Sequence, residues 1–259
     1  MNVVICVITI IGGFTIGVPP LNVIQMLWAN LIMDILGAIA IGTEPYKNDD
    51  SGTSNRISRK DNIIKPEMMR TIICHAIYQI VVLLVLMFFG QMIFFSESFN
   101  LVSTPYRDAA GEPTNRLVLN TICFHTFILM NLFNTINCRV VDPLEFNVFK
   151  TLFNNPYLWL VLVFELFVQQ MMIKAGNTTL GSALLGTAPL STSMTVTCWM
   201  LGAFTLVVNF LSKQIPLSKF KFAEKIDLEN NNKNSFIDNM FTKADDMYKK
   251  AGDQIRDDE

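Results

Sequence analysis

The chain has 259 residues, 51% of them hydrophobic and 16% charged, with a net charge of −2. Soluble domains carry about a quarter charged residues, so this composition excludes an ordinary soluble globule. The balanced charge offers no basic excess for a nucleic-acid partner.

The charges are also segregated. Residues 1–33, 71–96, 117–138 and 175–212 carry none, and residues 151–173 carry Glu165 alone. Each stretch reaches the roughly 20 apolar residues that cross a bilayer as a helix. Six segments are predicted, at about 1–17, 21–43, 68–95, 115–137, 156–174 and 193–212. The first two form a helical hairpin, because Gly17-Val18-Pro19-Pro20 interrupts the apolar run and proline ends helices. Alternation of the kind an outer-membrane barrel needs is absent. The fold class is an all-α polytopic membrane protein, a bundle of six transmembrane helices. Its parts are an ion-site hairpin at 1–43, a cytosolic loop at 44–67, a four-helix membrane region at 68–212 and a partly disordered cytosolic tail at 213–259.

Within the second segment one carboxylate breaks a long uncharged run. Asp34 follows Asn30 by four residues in Leu27-Trp28-Ala29-Asn30-Leu31-Ile32-Met33-Asp34. A carboxylate at bilayer depth is costly and marks ion or proton paths. At i and i+4 on a helix the two side chains point the same way, and hard oxygen donors on one face are what a dehydrating cation needs. The bland reading is a helix-packing hydrogen bond.

Glu165, with Gln169 and Gln170, is the second membrane acid. It is read as a packing or interfacial group more than as an ion group. His75 and His125 are read as hydrogen-bonded core or interface histidines. Cys6, Cys74, Cys123, Cys138 and Cys198 lack metal spacing and are read as small core residues. Loop 44–67 contains Lys47, Arg56, Arg59, Lys60 and Lys65, and the tail is rich in lysine. By the positive-inside rule both face the cytosol, which puts both termini there. The sequon Asn177-Thr178-Thr179 then falls in an outer loop. The tail lysines Lys213, Lys219, Lys221 and Lys225 are read as lipid contacts or as a solvated tether.

The stretch Leu27 to Asp34, followed by Gly42-Thr43-Glu44-Pro45, resembles the sixth membrane helix of P-type calcium ATPases, closest to the plasma-membrane type. The resemblance continues in register. Met1-Asn2-Val3-Val4 is similar to the middle of the fifth helix and Cys74-His75-Ala76-Ile77-Tyr78-Gln79 to the seventh. Phe124-His125-Thr126-Phe127 and Leu132-Phe133-Asn134-Thr135-Ile136-Asn137 are similar to the eighth. Asn147-Val148-Phe149 and Phe153-Asn154-Asn155-Pro156 resemble the loop before the ninth. It implies the C-terminal transport region of an ATP-driven calcium efflux pump, in the plasma membrane or a vacuolar membrane.

The resemblance makes Asn30 and Asp34 ligands of the calcium ion, which is the transported substrate, and places Asn2 beside them. The helix-five glutamate of two-ion pumps corresponds to Ile5, in keeping with a one-ion transporter. Asn131 stands where the family often has Gln or Glu. The Asp-Lys-Thr-Gly-Thr phosphorylation motif, the Thr-Gly-Glu loop and the Gly-Asp-Gly-x-Asn-Asp hinge are not in these 259 residues. ATP and Mg would therefore act only through missing domains, and this chain alone should not hydrolyse ATP. The helix-four Pro-Glu motif is also missing, because Lys65-Pro66-Glu67 lies in a basic loop. The implied partners are membrane lipid and the catalytic half of a pump or an intact pump. Glu44-Pro45 would couple ATP chemistry to the helices. A basic, Trp-containing calmodulin site is not visible in the tail. The alternative reading is a truncated, non-catalytic membrane protein that binds or regulates an intact pump.

Overall fold

The computed structural model describes residues 1–17, 19–43, 66–95, 114–139 and 155–215, and all the elements described here are helical. The coupling pair Glu44-Pro45, most of loop 44–67, the stretches resembling the loop before the ninth helix up to Asn154, and the tail beyond Ile215 lie outside the described residues. The chain divides into two compact units, Met1–Lys47 with Thr71–Gln214, and Asn48–Arg70 with Ile215–Glu259. Within the second unit Arg70 donates from Nη1 to the Ile215 carbonyl at 2.7 Å.

In the first unit, α1 spans Asn2–Ile16 and closes on Gly17, whose φ of 78° is left-handed. Glycine adopts that conformation without a Cβ penalty. The chain then turns through Pro19 and Pro20 into α2 (Val23–Leu27), a π-helical turn (Trp28–Met33) and α3 (Asp34–Gly42). The turn is tight: a Cβ on Gly12 would lie 2.6 Å from Pro20 Cδ. Next come α4 (Pro66–Phe95), α5 (Asn115–Cys138), α6 (Pro156–Ala175), the short α7 (Thr179–Leu185) and α8 (Thr192–Gln214).

Among the described residues five segments are long and apolar enough to cross a membrane: Val23–Gly42, Met68–Phe95, Asn115–Cys138, Pro156–Ala175 and Thr192–Gln214. The expectation of six is therefore met for five. The first, α1, is apolar but has 15 residues, about 22 Å at 1.5 Å per residue, short of the roughly 30 Å hydrocarbon core.

The core of this unit is built round α5. Every residue from Thr121 to Leu132 is buried, including Phe124, Phe127, Ile128, Leu129 and Met130. Its most extensive neighbour is α8. The two approach closely at Gly202, where a Cβ would stand 2.8 Å from Leu129 Cβ. Small residues that let helix backbones meet are how membrane helices gain packing energy. Asn209 Nδ2 donates to Asn137 Oδ1 at 3.2 Å, and Asn137 Nδ2 donates to the Thr205 carbonyl at 3.3 Å. From α4, Tyr78 donates to the Leu201 carbonyl at 2.7 Å and Gln79 Nε2 to Asn131 Oδ1 at 3.2 Å. Asn131 is thus engaged in helix packing. Large apolar side chains such as Ile77, Val81, Leu160, Phe167, Met200 and Phe204 face outward, as suits a hydrocarbon solvent.

Candidate functional site

The helix from Val23 to Gly42 has two different faces. Gln25, Trp28, Ala29, Met33, Gly37 and Ala40 turn into the protein. Leu27, Asn30, Leu31, Asp34, Ile35 and Ile39 are exposed. Asn30 and Asp34 thus share the outward face, as their spacing predicts, and they are the only polar groups on it. Asn30 lies within the π-helical turn, and Asp34 begins the α-helix that follows. Such single turns insert a residue into the ladder and recur at functional sites. The sequence contains no proline or glycine there that would have announced the change in helix type.

Asn2 is exposed on α1. Thr9 Oγ1 donates to Met26 Sδ at 4.0 Å, which brings the middle of α1 against α2. Asn2, Asn30 and Asp34 are each exposed on the hairpin. Neither Asn30 nor Asp34 makes a side-chain hydrogen bond among the described residues. One carboxylate and two amides supply part of the six to eight oxygens that calcium takes.

Two polar clasps hold this helix at its ends, and neither follows from the resemblance. At the start, Asn22 and Gln25 form a reciprocal cap, with Asn22 N donating to Gln25 Oε1 at 2.9 Å and Val23 N to Asn22 Oδ1 at 2.7 Å. Gln25 then reaches across to the loop after α7, where its Nε2 donates to the Leu185 and Gly186 carbonyls at 2.9 and 3.0 Å. Asn22 Nδ2 donates to the Leu184 carbonyl at 3.1 Å. Gly186 turns the chain there with φ 61°. At the other end, buried Asn155 caps α6 by accepting from Tyr157 N and Leu158 N at 3.1 and 3.3 Å. Its Nδ2 donates to the Ala40 carbonyl at 3.3 Å. These hydrogen bonds tie the two ends of the helix to α7 and to the start of α6. The sequence signals were Asn22-x-x-Gln25, a capping-box spacing, and Asn155 before Pro156, an N-cap before proline at N1.

Residues 18–215 match the family model for the C-terminus of cation-transporting ATPases. The chain belongs to this family. Among relatives, the Caenorhabditis elegans plasma membrane calcium-transporting ATPase mca-1 is 32% identical over 226 residues, 87% of this chain and 17% of that protein. The human plasma membrane calcium-transporting ATPase 1 is 34% identical over 230 residues, again 87% and 17%. A rice protein described as probable calcium-transporting ATPase 6, plasma membrane-type, is 29% identical over 217 residues, 84% of this chain and 19% of its own length. The chain thus spans less than a fifth of the length of these relatives. The resemblance to the C-terminal region of plasma-membrane-type pumps extends over most of the sequence. With its apolar helices, this makes the chain part of a multi-pass membrane protein.

As a member of the cation-transporting ATPase C-terminal family, the chain places the other expected groups as follows. His75 and His125 are buried, and His125 Nδ1 lies 3.5 Å from Gln169 Nε2. Glu165 and Gln169 are buried while Gln170 is half-buried. Cys6 and Cys138 are exposed, Cys74 is half-buried, and Cys123 and Cys198 are buried. All five are free thiols. Among the described residues no three His, Cys, Asp or Glu side chains are grouped to hold a metal. Asn177 is exposed in the turn after α6.

Proposed function

We propose that this chain is the cation-transport membrane region of an ATP-driven calcium efflux pump, with Asn30, Asp34 and Asn2 lining the ion path. The observation that carries the reading is the Asp34 carboxylate, at membrane depth on a face that is otherwise apolar apart from Asn30. A charge so placed is stabilised by a cation and by ligands from elements beyond this hairpin. Asp34 supplies a formal negative charge. The amide oxygens of Asn30 and Asn2 replace water without adding charge. In the working pump, calcium arrives from the cytosol and the remaining oxygens come from the other half of the membrane domain. ATP and Mg act on the cytosolic domains of that longer protein. Phosphorylation there would move the clasped helix together with α6 and α7 and release the ion on the far side. Both ends of this chain would lie in the cytosol, in the plasma membrane or a vacuolar membrane.

The test is a chimera in which this chain replaces the matching region of human plasma membrane calcium-transporting ATPase 1. The chimera should form phosphoenzyme in response to calcium, and Asp34→Asn should abolish that response. An unchanged calcium response in Asp34→Asn would remove Asp34 from the ion site.

A further inference from the structure

The middle of α6 carries a polar pair that the Asn30–Asp34 face does not use. Glu165 is 1% exposed and Gln169 is 0% exposed. They are one turn apart, on the same buried stripe as Leu158, Leu162 and Met172. Opposite them α5 places His125, also 0% exposed, with Nδ1 3.5 Å from Gln169 Nε2. Both carboxylate oxygens of Glu165, Oε1 of Gln169 and Nε2 of His125 have no hydrogen-bond partner among the described residues. At least nine in ten buried polar groups in native proteins are bonded. Four unpaired polar atoms on three adjoining side chains therefore call for a ligand.

The depth is informative. Asn155 fixes the level of Ala40 against the start of α6. Glu165 lies ten residues further along, about 15 Å at 1.5 Å per residue. Counting the same distance back from Ala40 reaches Asn30. Glu165 is thus near the middle of a membrane-length helix, level with the ion face but on the protein side of it. The two acids point to different surroundings, Glu165 buried and Asp34 exposed.

The donor set decides the ligand class. Three unpaired oxygens within one turn of α6 are electron-pair donors, and together they carry one formal negative charge. In a dry interior an unbalanced charge of either sign is strongly disfavoured. One carboxylate is balanced by one positive charge, and a divalent ion would leave an excess. We propose that Glu165 and Gln169, with His125 Nδ1 accepting from the Gln169 amide and so orienting it, form an inner site for a singly charged inorganic cation, an alkali-metal ion or a proton, separate from the Asn30–Asp34 face. The ionisable groups on the elements packed against it are Asp34 of α3 and, on α5, Arg116, Cys123, His125 and Cys138, of which His125 is the one in contact with Gln169. Helix α7 has none. The site does not depend on the calcium reading.

The test uses the whole chain in lipid nanodiscs, with its glutamates carrying ¹³C at the side-chain carboxyl, followed by infrared difference spectroscopy. Glu165→Gln assigns the Glu165 band. Sodium and potassium are titrated against a bulky organic cation at constant pH and ionic strength. The pH is then varied from mildly acidic to mildly basic in the organic cation alone. An alkali-metal site gives a Glu165 band that responds to sodium or potassium at fixed pH. In Gln169→Leu, of similar size, this response should weaken about tenfold or more, the usual loss when a supporting ligand is removed. A proton site gives a Glu165 band that responds to pH and not to salt. A band unmoved by either titration, or a response that persists in Glu165→Gln, overturns the proposal. Circular dichroism and gel filtration of both variants show whether the fold is intact, so that a lost response is not mistaken for unfolding.

Discussion

Asn155 performs two separable jobs, and substitution can divide them. Asn155→Ala removes the cap on Tyr157 N and Leu158 N, a loss of about 1 kcal/mol for an N-cap. It also removes the tie from Nδ2 to the Ala40 carbonyl. Hydrogen bonds between membrane helices average about 0.6 kcal/mol. The alanine variant should therefore lose about 1.6 kcal/mol, roughly a fifteenfold shift in the folded-to-unfolded ratio. Asn155→Ser keeps a capping oxygen of comparable strength but has no amide nitrogen to reach Ala40. It should lose only about 0.6 kcal/mol, near threefold. Unfolding measured in bicelles by steric trapping resolves differences of this size. In Asn155→Ser a reporter cysteine at Ala38 should also become more reactive than in the parent, because the C-terminal end of α3 is released while α6 stays capped. If serine is as damaging as alanine, or if alanine costs nothing, the division of roles assigned to Asn155 is wrong.

Two further outcomes test the clasp and the central packing. Gln25→Leu strips the donor from the Leu185 and Gly186 carbonyls. Leaving such groups unpaired costs about 1–3 kcal/mol, so amide hydrogen exchange in α7 should accelerate about five- to hundredfold while α8 is unchanged. Equal exchange in both proteins would refute the clasp. Gly202→Val places a side chain where even a Cβ meets Leu129 at 2.8 Å. Overpacking of this kind costs about 1–3 kcal/mol. The melting temperature should fall, with Gly202→Ala intermediate. A valine variant that melts with the parent would show that α5 and α8 can separate there at no cost.

The helices were legible because the bilayer imposes a coarse rule on the sequence. Charge-free runs bounded by Arg70, Arg116 and Arg139 marked α4 and α5, and the Gly17–Pro20 break marked the hairpin. The expected segment at 115–137 and the observed Asn115–Cys138 differ by one residue, since a loss of apolarity and a helix end coincide. The shared face of Asn30 and Asp34 was also legible, because helical periodicity survives the change from π to α. The π-helical turn itself was not. No proline or glycine between Trp28 and Met33 signals it. Nor were the partners of Gln25 and Asn155, which lie more than a hundred residues away in sequence. Glu165 was visible as an acid, but one sequence could not show that its whole stripe turns inward. It was therefore read as a packing or interfacial group; it is fully buried beside Gln169, with neither oxygen bonded.

The enclosure of α5 has a consequence for how such a protein is made. From Thr121 to Leu132 this helix faces protein on every side, and it carries His125, Asn131 and Asn137 into the membrane. Each polar residue of this kind penalises entry into lipid, and the groups that bond Asn137 belong to α8, which is synthesised later. During synthesis α5 must therefore leave the translocon before its last neighbour exists. Among the spans of this chain it is the one whose insertion depends most on being held beside earlier helices, or by a chaperone of the membrane, until α8 arrives.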